Sequence, residues 1–529
     1  MSYAKHFSNA AQSGIFVGEK VRPDQVENNT GGFVFKITPL QWFTRFLVLG
    51  TEGGTYYQSE KRITLQARTR IKEMVPLMGK EMLEILYDVS DKGRAPRNSP
   101  AVAALALIAS YGDPPTRKAA IDIMPKVART ATDMFAFVEI VKAESGFGSM
   151  KKTGIANWYL GKSAEQIAYQ MIKYRQRNGW THADVLRLSH PKTSDVEKNA
   201  LFRFAISLAK GSREYSGGLE SVKVFLSLNA STPMAEVISL LKEHKFPWEA
   251  LPTEFLSKPK IWEHLLPNML PEAMLRNLGR LASIGMLGAR SEWESLVINT
   301  FSDSEKLKKY RVHPVKLLIA KSVFDAGRGV KGGLSWKPNA RISEGLEDAF
   351  YSSFESLPKT NTRYLIANDV SRSMIDQTIA GTFLSAAQGA AAMNLLFLKQ
   401  GMDAVSMGFS DEFTDLEFNK NTSMSAALEK IGRLPFSSTD CSLPFKWALQ
   451  EKVPTDVFIV ITDNETNTGT HPYQAMEQYR KKMGINAKLI VMGMTATGFS
   501  IADPNDSGML DVVGFDGNVP AVIDEFVSL

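Results

Sequence analysis

From about Phe33 to Glu355, apolar residues recur at helical spacing in segment after segment, separated by short polar breaks. The pattern predicts helices over Ala101–Ser110, Thr116–Ala131, Ala164–Arg175, Ala183–Ser189, Pro233–Lys245, Pro271–Met286 and Pro314–Phe324. Strand-like alternation is scarce in this stretch. Helices this numerous exceed one bundle and have to stack on their neighbours, as in α-solenoids of the HEAT or armadillo type, although no fixed-period repeat is visible. Beyond Pro358 the pattern changes. Tyr364–Asn368, Ala404–Phe409, Val457–Thr462 and Lys488–Met494 are short apolar runs, several of them β-branched, and they alternate with predicted helices over Asp376–Lys399, Ser423–Arg433, Leu443–Leu449 and Pro472–Met483. Such alternation predicts an α/β doubly wound unit, with ligands at the carboxyl ends of its strands. The expected boundary lies in the polar run Leu357–Thr362, giving a helical region over 1–357 and an α/β domain over 358–529.

A chain of 529 residues is long enough for two or more cores, and a 44% hydrophobic, 22% charged composition excludes wholesale disorder. The single cysteine, Cys441, cannot form an internal disulfide, which fits a reducing compartment. The opening MSYAKHFSNAAQSGIF lacks the apolar centre of a signal peptide, and no run approaches the length of a membrane span, so a cytoplasmic protein without a membrane partner is expected. Charge is divided unevenly. Residues 356–529 carry 13 Lys and Arg against 20 Asp and Glu, whereas residues 1–355 carry 49 against 36. The overall +6 therefore combines an acidic carboxy-terminal unit with a strongly basic helical body, which suits a polyanionic partner.

Directly after the first predicted strand of the α/β unit stands Asp369-Val-Ser371-Arg-Ser373; Ser438-Thr439-Asp440 and Thr462-Asp463-Asn464-Glu465 follow in later loops. Asp369, Ser371, Ser373, Thr439 and Asp463 supply two carboxylates and three hydroxyls from strand-end loops, an oxygen-only set suited to a hard divalent cation, with magnesium the expected ion. This is the pattern of a von Willebrand factor A domain with a metal-ion-dependent adhesion site. The plainer reading is a set of helix caps, with Ser373 capping Asp376–Lys399. No side chain in these loops is placed as an obvious general base, although Glu465 stands close.

Residues 173–192, KYRQRNGWTHADVLRLSHPK, concentrate Lys173, Arg175, Arg177, His182, Arg187, His190 and Lys192 around a single acid, Asp184. Lys173 and Arg177 are four apart on a predicted helix and would share a face. Asn178-Gly179 would end that helix and Thr181 would cap the next, which would carry Arg187 and His190. Such a stripe can track phosphates; the bland alternative is a solvated surface. Arg117, Lys118, Lys126 and Arg129 add weaker support. The glycine-rich segments 50–57 and 327–333 lack the order of a nucleotide-binding loop and are expected to be turns.

GTEGGTYY, KYRQRNGWTHADVLRLSH, RNLGR (Arg276–Arg280), HPVKLLIA, TDCSLP (Thr439–Pro444), DVFIVITDNET, YRKKM and AKLIVMGMTATGFSIADP are colinear blocks that together resemble the Ro autoantigen family, the TROVE-domain RNA-binding proteins, over nearly the whole chain from about Gly32. The resemblance implies a closed ring of HEAT-type helical repeats joined to a von Willebrand A domain. It further implies small noncoding Y RNAs on the outer face of the ring, and single-stranded ends of misfolded RNAs in its central hole. Family positions tied to Y RNA contact fall on Lys173, Arg177 and His190. One departure is Ser437-Ser438, where the family usually carries Gly-Gly; side chains there restrict the backbone that presents Thr439.

The expected function is therefore that of a non-enzymatic RNA chaperone in noncoding RNA quality control, monomeric, with an acidic protein partner at the metal site. Two rivals differ in class. In one, the A domain is the working part, the helices are a protein-interaction scaffold, and RNA is incidental. In the other, Asp369 and Asp463 serve a metal-dependent hydrolase, a reading weakened by the lack of a positioned base and a second metal set.

Overall fold

The computed structural model describes residues 6–8, 16–50, 60–177, 179–244, 246–329, 333–354, 361–376, 384–434 and 438–529. Its strands are β1 (His6–Ser8), β2 (Gln25–Glu27), β3 (Phe33–Lys36), β4 (Gln176–Arg177), β5 (Trp180–Thr181), β6 (Tyr364–Asp369), β7 (Ala404–Phe409), β8 (Glu412–Asp415), β9 (Val457–Thr462), β10 (Lys488–Gly493), β11 (Phe499–Ser500) and β12 (Met509–Val513). Between Pro39 and Ser352 the chain is almost wholly helical. Successive helices pack on partners one or two places along, as in Ser99–Tyr111 against Pro114–Val127 and Ala131–Glu144, or Pro314–Asp325 against Ala340–Ser352. That neighbour-to-neighbour stacking is the solenoid arrangement expected of helices too many for one bundle. Among the described residues, no helix is long and apolar enough to cross a membrane.

The helical run returns to its own beginning. Arg311 donates from Nε to the Asp91 carbonyl at 2.5 Å and from Nη2 to the Asp91 carboxylate at 3.0 Å, and His313 Nε2 lies 3.0 Å from the Arg94 carbonyl. Arg94 in turn grips Asp516 of the carboxy-terminal unit, with Nε to Oδ1 at 2.9 Å and Nη2 to Oδ2 at 2.5 Å. A second tie is Arg45, wholly buried in the first helix, Pro39–Leu49; it pairs with Asp511 on β12 and donates to the carbonyls of Thr497 and Phe499.

The carboxy-terminal unit is built on a seven-stranded mixed sheet of order β1-β8-β7-β6-β9-β10-β12. Strands β7, β6, β9, β10 and β12 run parallel, and β8 and β1 close one edge antiparallel. Alternation along the strands separates two cores: Ile366, Ile459 and Ile490 join the cluster shared with the later helices, while Leu365, Phe458, Val460 and Leu489 face the opposite layer with Trp447 and Tyr479. The chain goes from β6 outward to β7 and then crosses back to place β9 on the other side of β6, so the crevice between the ends of β6 and β9 is a topological switch point.

Three expectations are corrected here. The stretch 376–399 is not one helix: Arg372–Asp376 is a short turn of helix, and a separate helix Ala386–Lys399 starts at Ser385, whose hydroxyl and Gln388 form a capping box. Residues 1–357 are not purely helical, because β1 joins the carboxy-terminal sheet and β2 and β3 ladder with β11 of that unit. Finally, β4 and β5 form a hairpin inside the helical region. The expected boundary at 357–362 lies mostly outside the described residues, as does the glycine-rich segment after Gly50.

Candidate functional site

At the switch point, β6 delivers Asp369 and the following turn delivers Ser371 and Ser373. Asp369 Oδ1 accepts the Ser371 N–H at 2.9 Å, Oδ2 accepts the Thr462 hydroxyl at 2.6 Å, and the Ser371 and Ser373 hydroxyls lie 3.1 Å apart. Strand β9 delivers Asp463, whose Oδ1 accepts the Glu465 N–H at 3.0 Å. Thr439 comes from a third loop that is zipped to the loop after Asp463: its carbonyl accepts the N–H groups of Asn467 (3.0 Å) and Thr468 (3.1 Å), and its N–H donates to Asn467 Oδ1 at 3.0 Å. All five residues are at most 3% exposed.

Burial, and then the neighbouring charge of Asp463, push the Asp369 carboxyl up to about 7. Two buried carboxylates, with the Ser371 and Ser373 hydroxyls next to Asp369 and Thr439 on the neighbouring loop, supply oxygen donors of the kind a hard divalent cation takes. Among the described residues, no three His, Cys, Asp or Glu side chains form a metal-holding group, so a cation at these loops would depend on hydroxyl as well as carboxylate oxygens. Asp440 is separate: its Oδ1 accepts the Ser442 N–H at 2.9 Å, and Lys446 Nζ lies 3.7 Å from Oδ2. Ser437 lies outside the described residues, so only Ser438 of that pair is placed. Glu465 is bound from the β2–β3 turn. Its two oxygens accept the main-chain N–H and side-chain Nδ2 of Asn29, in a site where burial and then Asp463 raise its carboxyl to about 8.

The basic stretch folds differently from its expectation. The helix Ala164–Lys173 stops at Lys173, and Arg177 lies not four residues along a helix but on β4. β4 and β5 pair as a hairpin, with Gln176 opposite Thr181, Arg177 opposite Trp180, and Gly179 between them at φ +76°; Asn178 lies outside the described residues. Asn-Gly favours a tight hairpin because both of its residues tolerate positive φ, and that preference prevails over helix termination. Thr181 does cap the next helix, His182–Ser189, through a capping box with Asp184.

Arg175, Arg177, Arg187, His190 and Lys192 are all exposed, at the hairpin, on the helix after it and in the loop beyond. Arg177 donates to the Gln176 carbonyl at 2.7 Å, Arg187 lies 3.7 Å from Asp184, and His190 takes the left-handed cap position at φ +46°. Lys173 is half-buried at the base of the hairpin, 3.1 Å from the Tyr169 hydroxyl. Burial opposes its charge, but Tyr169, Tyr174 and Glu249 outweigh burial, so its ammonium titrates above the usual lysine range. His182 leaves the stripe altogether. It is buried against Phe135 and Tyr159, its Nδ1 lies 2.9 Å from the Tyr159 hydroxyl, and burial lowers it to about 4, which makes it a neutral core residue.

Of the weaker candidates, Lys118 pairs with Asp122 at 2.5 Å along its own helix, and Arg129 is spent on Ser90 and Lys126 oxygens. Gly327 is a turn, as expected, at φ +65° with its carbonyl accepting the Trp336 N–H; Lys331 lies outside the described residues. Three contributors were missed in sequence. Glu249, seventy-odd residues from the stripe, faces Lys173 at 3.9 Å. Asn28 and Asn29 reach the 463–466 loop from the β2–β3 turn, and the turn-forming run Asn28-Asn-Thr-Gly-Gly32 ahead of the apolar Phe33–Phe35 was the legible sign of that hairpin.

A model of the TROVE domain matches residues 26–331, and a model of the Ro60 vWA domain matches residues 363–527. The chain is 39% identical over 512 residues to the RNA-binding protein RO60 of Deinococcus radiodurans, covering 96% of each chain. It is 34% identical over 588 residues to the RNA-binding protein RO60 of Caenorhabditis elegans, covering 96% of this chain and 91% of that one. The crystal structure of the Deinococcus radiodurans RO (RSR) protein superposes with a TM-score of 0.70 at 38% identity, over 93% of this chain and 99% of the other. With a TROVE region and a Ro60-type von Willebrand A domain in one polypeptide, colinear with these relatives over nearly its full length, the chain belongs to the Ro60 family.

Proposed function

We propose that this protein is a non-enzymatic RNA-binding protein of noncoding RNA quality control. Its helical body holds structured RNAs of the Y RNA type along the rim formed by Arg175, Arg177, Arg187 and His190, with Lys173 at its base. Single-stranded ends of misfolded RNAs enter the space that the helical run encloses. The observation that carries this reading is the β4–β5 hairpin, which lifts Arg177 off the helix and leaves it exposed next to Arg175, with Arg187 and His190 exposed on the helix that follows. The names of the two RO60 relatives, both RNA-binding proteins, support the same reading.

Phosphate contacts supply affinity and a steep salt dependence, while preference for single strands comes from stacking and from the width of the enclosed space. The carboxy-terminal domain serves a second partner. Asp369, Ser371, Ser373, Thr439 and Asp463 would hold magnesium, whose remaining coordination accepts a carboxylate from an acidic protein. This chain's residues hold the ligand oxygens in place; the cation supplies Lewis-acid attraction for the incoming carboxylate.

The deciding experiment measures binding of a stem-loop RNA with a 3′ tail against rising salt. A linear fall of log affinity with log salt is expected, and a flat response removes the phosphate track.

A further inference from the structure

The segment 16–36 is seated on the loop that presents Asp463. Val17 N–H donates to the Gly469 carbonyl at 3.0 Å, His471 Nε2 is 2.9 Å from the Glu19 carbonyl, and His471 Nδ1 is 3.1 Å from Gln25 Nε2. Closer to Asp463, Asn28 has two tasks. Its Oδ1 accepts the N–H groups of Thr30 at 3.0 Å and Gly32 at 2.9 Å, shaping the β2–β3 turn, while its Nδ2 donates to the Thr466 carbonyl at 2.8 Å. Asn29 gives both its main-chain N–H and its Nδ2 to the Glu465 carboxylate. The fit leaves no slack: a Cβ on Gly32 would lie 1.9 Å from the Thr466 carbonyl oxygen.

The loop is held from a second side. Asn464, directly after Asp463, sits at φ +67°, a left-handed conformation that asparagine tolerates better than most non-glycine residues. Its Oδ1 accepts the Ile501 N–H at 3.0 Å, one residue beyond β11, which itself ladders with β3. The hairpin thus grips the loop directly through Asn28 and Asn29, and indirectly through β11. Without Asn29, the buried Glu465 carboxylate would lose its partners beside Asp463, leaving a third acid free to turn toward the other two.

We propose that the β2–β3 turn, through Asn28 and Asn29, is the positioning element of the metal centre: it fixes the 463–466 backbone that presents Asp463 and holds Glu465 out of the ligand set. This rests on reading Asp369, Ser371, Ser373, Thr439 and Asp463 as a divalent-cation site. It makes the segment ahead of the helical region a working part of the A domain.

The test is titration of the full chain with manganese, read by electron paramagnetic resonance, in the parent, Asn28→Ser, Asn29→Ala and Asp24→Asn proteins. Serine at 28 keeps an acceptor for the turn but cannot reach Thr466; alanine at 29 keeps the main-chain donor and guards against a folding failure at 28. Asp24 lies on the same segment but bonds to Arg22 and Asn505 instead. Asn28→Ser and Asn29→Ala are expected to weaken manganese binding by about 10- to 100-fold, the usual effect of removing groups that orient metal ligands, with stem-RNA affinity and thermal midpoint in chelator unchanged. Asp24→Asn is expected to bind as the parent does. Parent-like affinity in both asparagine variants, or an equal loss in Asp24→Asn, overturns the positioning role while the cation site stands. A parent that binds no manganese removes the cation site and the proposal with it.

Discussion

The carboxylate of Glu249 stands 3.9 Å from the Lys173 ammonium, and its main-chain carbonyl accepts Arg175 Nη2 at 3.2 Å, so one residue of the turn Trp248–Ala250 restrains two cations of the proposed RNA rim. Its Oε2 is buried with no hydrogen-bond partner among the described residues. Glu249→Gln keeps the shape and removes the counter-charge. Affinity for a stem RNA should rise about two- to fivefold at low salt, the scale of a partly exposed ion pair, and the gain should fade as salt screens the rim. Anisotropy titrations at two salt concentrations check this; unchanged affinity shows that Lys173 does not face RNA.

Replacing Lys173 and Arg177 together with alanine removes one half-buried and one exposed cation from opposite ends of the short link into the hairpin. Stem-RNA affinity should fall at least about tenfold, and the slope of log affinity against log salt should shrink by about 1.4 to 1.8, the loss of two phosphate contacts. Filter binding across a salt series measures both quantities.

Asp463→Asn tests the proposed metal centre by stability rather than by partner capture. In the parent, magnesium at a hundredfold excess over its dissociation constant should stabilise the fold by about 2.7 kcal/mol, and thermal melts should show a magnesium-dependent rise. The variant should lose that rise and keep parental RNA affinity.

Two buried histidines set an acid limit. Burial lowers His182 to about 4, and burial followed by the charge of Lys316 lowers His313 to about 3. Both values lie below the unfolded value near 6.5, so the native state binds fewer protons than the unfolded chain between these limits. Their contribution is therefore complete above about pH 6.5 and is lost as pH falls through 4 toward 3, with up to about 3 kcal/mol at stake for His182. Denaturant unfolding of the parent from pH 7 to pH 4 should show declining stability, and His182→Phe should flatten that decline.

Arg45→Met removes a wholly buried guanidinium and strands Asp511 on β12. The expected cost is about 3 to 5 kcal/mol, as for other buried pairs broken from one side. Adding Asp511→Asn should recover part of it, because the remaining partner is then neutral. Calorimetry of the three proteins decides.

How far the fold was legible depended on how local its causes are. Strands β6, β7, β9 and β10 are continuous apolar runs, buried on both faces, and their limits in sequence match the structure to within a residue. The positions of Asp369 and Asp463 were legible for the same reason, since each stands where such a run ends, whereas Thr439 follows the helix Met424–Gly432. What failed was decided by distant or competing partners. Asn178-Gly179 carries signals for both a helix end and a hairpin, and only the pairing of Arg177 with Trp180 chooses between them. His182 looked basic because its neighbours are, yet it turns inward onto Tyr159, which lies 23 residues earlier. β2 and β3 are short, and their value comes from a loop more than four hundred residues away.

That separation bears on how the molecule is made. The strand at residues 6–8 pairs with residues 412–414, and Asn28 with the loop at 466, so each is translated more than four hundred residues before its partner. The intervening helices, whose contacts are mostly with near neighbours, can assemble as they emerge. Docking of the Asn28–Asn29 turn is accordingly a late step of biogenesis, and nascent chains stalled before β9 should leave that turn open to protease while the helices ahead of the stall are already protected.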